Sequence, residues 1–199
     1  GIYTAFISAQ FYSPGNMVCW YVRAEDINGN KSRNPLFPYP DNSPEYYGTV
    51  VQDPSIHSSL PIFHWFVQNV AASEGRSTTR ASVYYDGEFY DNVGMHIRGG
   101  STAGAAKKHF KFHFNRGYKF RYKDGSPRVN EINLNSTYSD KAYLRQNMAF
   151  EAYDWCGCPS SESFPVRAQR NGAFYGVQIL IEEPEEELLE REGLDPDGA

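Results

Sequence analysis

The sequence predicts an α+β fold, in which a β-hairpin precedes a mostly antiparallel sheet with one main helix. Asp86-Gly87 and Asn171-Gly172 are two-residue hairpin turns with strand-forming residues beside them. Residues 140–155 instead space their apolar side chains as a helix does. The 15 Tyr and 13 Phe favour sheets and packed loops over a helical bundle. Strands, one helix and further strands in this order are typical of an α+β sheet domain.

Composition excludes several classes of function. The 199 residues are 40% hydrophobic and 22% charged, which is ordinary for a globular protein. A net charge of −5 argues against nucleic acid as a partner, despite the basic, aromatic stretch 107–123. No apolar run approaches the length of a membrane span.

The three cysteines, Cys19, Cys156 and Cys158, do not force a disulfide framework. We expect packed structural thiols, without a metal site and with the redox state left open. Gly1 opens the chain without a signal-peptide pattern. We expect a fragment that starts within a strand pattern, although removal of a signal would also leave such an end.

Residues 1–33 are predicted to form the last strands of a truncated domain. Ile2, Phe6 and Phe11 recur at intervals, and residues 17–24 read as a strand before the turn 26–30. The segment resembles the closing hairpin of an immunoglobulin-like or fibronectin-like module. The alternative is an extra hairpin that packs on the next domain.

Residues 34–60 are predicted to be a linker draped over a surface. They contain five prolines, which remove hydrogen-bond donors and disfavour regular structure: Pro35, Pro38, Pro40, Pro44 and Pro54.

Residues 61–199 read as one mixed unit. The apolar run after Pro61 is expected to begin a short helix within residues 61–72. Strands are expected around the Asp86-Gly87 turn, at 93–98 and at 109–114, followed by the helix at 140–155 and the hairpin at Asn171-Gly172.

A glycine-rich turn at residues 98–104 follows a predicted strand. It contains Arg98, Gly99 and Ser101, and its glycines would let backbone amides approach a phosphate. A flexible turn is the alternative explanation.

The next strand alternates strictly, and it places Phe110, Phe112 and Phe114 on one face. Lys108 has the same phase, so its ammonium needs an anion such as a phosphate or carboxylate, unless the strand end has already reached solvent. The opposite face of the strand is expected to be solvated. It carries Lys107, His109, Lys111 and His113.

The helix is expected to start at Ser139 or Asp140 and to bury a stripe of Leu144, Met148 and Trp155. Glu151 falls on that stripe, where it would pair with the strand lysine or reach water at the edge. The acidic run after residue 181 is expected to leave a strand at Pro184 and begin another helix.

Three segments together resemble the CotH kinase family: "HIRGGSTAGAAKKHFKFHF", "INLNSTYSDKAYLRQNMAFEAY" and "RNGAFYGVQILIEE". The resemblance covers residues 80–190 and not residues 1–55. Gln178 stands where the family usually has Tyr, and His109 where Ser is frequent. It implies that residues 61–199 are a kinase-like small lobe that stops before the large lobe and its catalytic aspartates.

The resemblance also implies a function. Such proteins use ATP with Mg or Mn to phosphorylate Ser or Thr of proteins, here expected to be surface or coat proteins of a bacterium, outside the cell or at its surface. Arg98, Gly99 and Ser101 would line the phosphates, and Lys107 or Lys108 would touch them. Glu182 and Glu183 would lie near the adenine, and Glu151 would bind a lysine. The metal would be held mainly by the large lobe, so this chain alone is expected to be inactive. The rival expectation is a non-catalytic surface scaffold that binds carbohydrate or protein through its tyrosines.

Overall fold

The computed structural model describes residues 4–198 and shows a mostly β architecture. Four short strands come first: β1 (Met17–Trp20), β2 (Val22–Glu25), β3 (Lys31–Asn34) and β4 (Tyr47–Val50). Seven strands follow: β5 (Ile62–Phe66), β6 (Thr79–Tyr85), β7 (Glu88–Arg98), β8 (His109–His113), β9 (Glu131–Ser136), β10 (Ser163–Arg170) and β11 (Ala173–Glu182). The described helices are α1 (Val70–Ser73), α2 (Arg145–Trp155) and α3 (Glu186–Arg191).

The seven later strands close into a barrel in the order β10-β11-β9-β8-β7-β6-β5. All neighbours are antiparallel except β5 and β10, whose parallel pairing closes the ring. The prediction of an α+β fold, with a mostly antiparallel sheet and one main helix as in a kinase small lobe, is therefore wrong. The physical reason lies in β5, because Phe63 and Trp65 alternate inward and let this strand complete the barrel wall.

The expected helix after Pro61 is strand β5 instead. Short apolar runs do not distinguish a buried strand from a helix by periodicity alone. In β5 the burial alternates with period two, which is a strand pattern, and Trp65 packs across the barrel on Phe110. Only the brief α1 follows it.

Aromatic side chains fill the barrel. Phe110, Phe112 and Phe114 all point inward from β8 and the residue after it, which confirms the predicted face of this strand. Phe63 packs on Phe112 with ring centroids 5.4 Å apart and the rings near edge-to-face. The high aromatic content thus serves a packed interior, as expected for a small barrel.

Both predicted hairpin turns are confirmed. Asp86 and Gly87 have φ values of 46° and 79° between β6 and β7. Asn171 and Gly172 have 51° and 79° between β10 and β11. Positive φ at both central residues is the mark of the tight turn that suits strand twist.

The strands of residues 17–50 form two short ladders and not a sandwich. The predicted strand 17–24 is divided at Tyr21, so that β1 pairs with β4 and β2 pairs with β3 across the predicted turn at residues 26–30. Strand β4 lies within the predicted linker and also packs on β7. Phe6 and Phe11 are exposed, and Ile2 lies outside the described residues.

Helix α2 begins at Arg145, and its packing differs from the prediction. Asp140 accepts hydrogen bonds from the backbone N–H of Ala142 and of Arg145, ahead of the helix. The expected apolar stripe of Leu144, Met148 and Trp155 is exposed. The helix buries Asn147 instead, which accepts a 3.2 Å hydrogen bond from Ser163 of β10.

The three cysteines are free, and Cys156 and Cys158 are exposed, so the expectation of packed thiols was wrong for this pair. No helix in residues 4–198 has the length and apolar character needed to cross a membrane.

Candidate functional site

The outer face of β8 carries the densest polar network close to the glycine-rich turn. Lys111 points out of the barrel between β9 and the end of β11. Its Nζ lies 2.5 Å from Glu131 Oε2 and 3.1 Å from Glu183 Oε1. Burial alone would lower the pKa of Lys111, but the two carboxylates outweigh it and raise that pKa. The lysine is therefore held as a fixed cation on the sheet surface.

The register of three strands builds this arrangement. Lys111 lies opposite Asn133 on β9, and His113 lies opposite Glu131. Asn133 donates to Glu183, which follows β11 directly. Glu183 loses some hydration by burial, yet Asn133 and Lys111 lower its pKa and keep it ionised.

Two histidines extend the network toward β7. His113 Nδ1 contacts Glu131, and its Nε2 lies 3.0 Å from Nε2 of His96. Burial opposes ionisation of Glu131, but Lys111 and His113 lower its pKa overall. The pKa of the neighbouring Glu185 is shifted upward instead. Burial and the nearby Glu131 raise it to about 7.

The glycine-rich turn joins β7 to β8 at one end of this face. Gly99 has a φ of 94°, which favours glycine, and Thr102 Oγ1 occupies the space that a side chain would need. Gly99, Gly100 and Ser101 are exposed. Arg98 lies opposite His109 on β8, and its Nη1 is 3.5 Å from Asn135 Oδ1. The turn thus presents open backbone beside a second cation.

The two lysines after the turn contact different parts of the backbone. Lys108 Nζ donates a 2.7 Å hydrogen bond to the carbonyl of Ala103, so its partner is the turn itself. Lys107 lies over Gly176, where a Cβ atom would be 2.5 Å from the ammonium nitrogen. Neither lysine has an ion pair within residues 4–198.

The predicted glutamates separate into different environments. Glu183 lies beside Lys111. Glu182 is fully buried, and its carboxylate accepts a 2.6 Å hydrogen bond from Arg191 of α3. Glu151 is exposed and accepts from Asn147, one turn earlier on α2. The structure therefore brings Arg98, Gly99, Ser101 and Glu183 to the same side of the sheet as Lys111.

Sequence reasoning missed Lys111, Glu131 and Asn133. Lys111 was assigned to a solvated strand face because its partners come from β9 and β11, which lie far away along the chain. The alternation of polar and apolar residues in Glu-Ile-Asn-Leu-Asn at residues 131–135 could have identified these partners. It predicts a second strand with one buried and one polar face, as in β8.

No group of three His, Cys, Asp or Glu side chains within residues 4–198 has an arrangement that could hold a metal ion. The sheet face carries two cations, Arg98 and Lys111, and an exposed turn, together with the carboxylates of Glu131, Glu183 and Glu185. Arg98 and backbone N–H groups of the turn are the kinds of group that stabilise phosphate oxygens, whereas Lys111 is already paired with two carboxylates.

No curated protein matches the chain. The family described as "CotH kinase protein" matches residues 95–199, which is more than half of the chain and includes the glycine-rich turn, Lys111 and both of its carboxylate partners. The chain belongs to the CotH kinase family.

Proposed function

We propose that residues 95–199 supply the nucleotide-binding part of a CotH-type protein kinase. In this proposal ATP lies on the outer face of β7, β8 and β9, with its phosphates between the glycine-rich turn and Lys111. The observation that carries the proposal is the placement of Lys111 between Glu131 and Glu183, two residues along β8 from His109, which pairs with Arg98 at the start of the glycine-rich turn. In protein kinases a strand lysine that contacts the phosphates likewise pairs with a glutamate, although that glutamate comes from a helix.

The residues present fit the phosphates of a nucleotide. Arg98 and Lys111 would supply positive charge, and the exposed backbone N–H groups of Gly99 to Ser101 would approach phosphate oxygens. Lys107 lies nearby and would add charge, whereas Lys108 would hold the turn in shape through Ala103. Lys111 therefore takes the role that the sequence had suggested for Lys107 or Lys108.

The carboxylates would act in different ways. Glu183 follows β11 directly and would position Lys111 while lying close to the base. Glu182 is bonded to Arg191, and Glu151 to Asn147, so neither carboxylate is directed at the phosphates. We assign these two residues to the fold.

Mg²⁺ or Mn²⁺ bound with the nucleotide would supply positive charge that neutralises the phosphates. This chain's own residues would hold the nucleotide and fix its orientation for in-line attack. The metal-binding and catalytic acids are assigned to no described residue. We further propose, from the family resemblance alone, that the acceptor is a Ser or Thr of a surface or coat protein and that the chain acts at or outside the cell surface.

Isothermal titration calorimetry with Mg-ATP tests the proposal. We expect wild type to bind, and Lys111→Met to weaken binding by at least about tenfold. The matched control is Lys123→Met, since Lys123 also forms an ion pair with one glutamate, Glu162, but lies away from this face.

Circular dichroism spectra of both variants establish whether they are folded. Equal binding of Mg-ATP by Lys111→Met and Lys123→Met would overturn the assignment of Lys111. If removal of Lys111 unfolds the chain, Lys111→Arg retains the charge and carries the test, because a guanidinium cannot reproduce the compact geometry of an ammonium.

A further inference from the structure

The loop that follows α1 brings an arginine to the glycine-rich turn. Three consecutive residues fix this loop to the barrel. Glu74 accepts a 2.5 Å hydrogen bond from Arg170 of β10, and the Gly75 carbonyl accepts a 3.0 Å hydrogen bond from a backbone N–H of β7. Arg76 donates a 2.7 Å hydrogen bond from Nη2 to the carbonyl oxygen of Gly99. The guanidinium is therefore held at the start of the turn, although the arginine is exposed.

The peptide that Arg76 contacts has little intrinsic preference for one orientation. It joins Gly99 to Gly100, and two residues without Cβ atoms let the peptide between them rotate at little cost. The C=O and N–H of a trans peptide point in opposite directions, so a carbonyl held by Arg76 turns the N–H of Gly100 away from the guanidinium. Within residues 4–198 that N–H has no hydrogen-bond acceptor, and Gly100 is exposed. The turn thus holds one donor in a fixed direction where a ligand can reach it.

The cations around this turn lack counter-ions. Most lysines and arginines of the chain form ion pairs, but the cations that adjoin the turn have none within residues 4–198: Arg76, Arg98, Lys107 and Lys108. Arg76 contacts the turn at Gly99, whereas the other three lie before or after it in the chain. In a protein with a net charge of −5, positive charge left unneutralised at one place favours an anionic ligand there.

We infer that Arg76 is a positioning residue for phosphate binding and that it acts through the peptide between Gly99 and Gly100. The inference rests on the nucleotide site proposed above. Arg76 holds the peptide so that the Gly100 N–H points at a phosphate oxygen, and its charge polarises the amide and strengthens that donor. Arg76 lies outside residues 95–199, so the family match assigns it no role.

Calorimetry of the full chain with Mg-ATP and with magnesium tripolyphosphate tests the inference. Arg76→Met should weaken binding of both probes about tenfold. Arg76→Lys should bind within about threefold of wild type, because one ammonium donor can also hold one carbonyl. The matched control is Arg116→Met, which removes the same charge from an exposed residue beyond the opposite end of β8 and should leave both affinities unchanged.

A second pair of variants addresses the donor itself. Gly100 has a φ of −83°, which is close to that of proline, and a Cβ atom there would meet no atom within 4 Å. Gly100→Pro lacks the N–H and should bind tripolyphosphate about tenfold more weakly than Gly100→Ala, which retains it. Because Arg76 acts through this N–H, Arg76→Met should have little further effect in the Gly100→Pro background. Circular dichroism establishes whether each variant is folded.

The outcomes separate this inference from the proposed function. Equal binding of Mg-ATP by wild type and Arg76→Met, or additive losses in the double variant, would overturn the role of Arg76 and leave the nucleotide site intact. Failure of wild type to bind either probe would overturn both. Binding of tripolyphosphate alone, weakened in Arg76→Met, would retain the role of Arg76 and reject the nucleotide. If Arg76→Met does not fold, the Gly100 pair carries the test, and equal binding by Gly100→Pro and Gly100→Ala would contradict the inference.

Discussion

Lys111 of β8 donates a 3.1 Å hydrogen bond to Glu183, the residue that follows β11. Seventy-two positions separate the two residues, and the sheet joins them through β9. About a fifth of each side chain is exposed, so the pair is partly shielded from water without being isolated from it. A cation fixed in this way is available to a ligand at the surface, and the proposed nucleotide site depends on it.

The buried pair between Glu182 and Arg191 should be a major contribution to stability. Arg191→Met leaves the fully buried carboxylate of Glu182 without its cation, which should cost about 3 kcal/mol of unfolding free energy. The double variant Arg191→Met/Glu182→Gln removes the charge as well and should recover part of this loss. Urea denaturation measures both. Arg145→Met, which breaks an exposed pair with Asp140, should change stability by about 0.5 kcal/mol or less.

Two glycines in similar two-residue turns should differ in their tolerance of alanine. Gly87 and Gly172 both have a φ of 79°. Space around Gly87 is open, whereas a Cβ at Gly172 would lie 2.8 Å from the carbonyl oxygen of Gly15. Gly87→Ala should cost about 1 kcal/mol from the left-handed backbone alone, and Gly172→Ala clearly more. Equal losses of unfolding free energy in the two variants would show that Gly15 does not pack on this hairpin in solution.

Glu185 should make stability fall as the pH rises from 4.5 to about 7. Its pKa is raised from 4.5 to about 7 by burial and Glu131, with Lys111 opposing. The folded state therefore holds a proton between pH 4.5 and 7 that the unfolded state releases, and this contribution is lost as the pH rises through that window. Glu185→Gln should remove this pH-dependent fall in unfolding free energy. The variant should therefore become more stable relative to wild type as the pH rises.

Denaturation of wild type and Glu185→Gln at a series of pH values measures this difference. Glu190→Gln, at an exposed position of α3, controls for removal of one surface charge. A difference between Glu185→Gln and wild type that is constant from pH 4.5 to 8 would contradict the raised pKa.

The hydrogen bond from Lys108 to Ala103 should control the glycine-rich turn. Lys108→Met removes the 2.7 Å hydrogen bond and should cost about 1 kcal/mol, since a bond from a charged group is lost at a partly exposed site. Amide hydrogen exchange at residues 101–105 should become faster in the variant, with little change in β8. If amide exchange in the turn is unchanged, Lys108 points into solvent in solution. That was the alternative interpretation of the sequence.

The sequence predicted local features well. Alternation placed Phe110 and Phe112 on the buried face, and the chemistry of Asn171-Gly172 located a hairpin. Both signals arise from neighbours along the chain. The closure of the barrel could not be predicted in this way, because it depends on β5 pairing in parallel with β10, whose residues are about a hundred positions away.

The sequence also indicated only part of the candidate site, because local patterns do not reveal partners on distant strands. The turn at residues 98–104 and the lysine strand are contiguous in sequence, so local patterns are enough to locate them. The partner of the strand lysine was sought on the helix at Glu151, whereas Lys111 finds Glu131 and Glu183 across the sheet. The register of β8 with β9, and of β9 with β11, determines the partners of Lys111; helical spacing does not.

Hydrogen–deuterium exchange with and without Mg-ATP tests the central claim most directly, because it locates the nucleotide without any substitution. The account predicts slower exchange in peptides that cover residues 98–105 and 109–113 at saturating Mg-ATP. Peptides that cover residues 17–20 and 117–119 should be unaffected. Protection confined to segments outside the turn and β8, or no protection at a concentration that saturates binding, would contradict it.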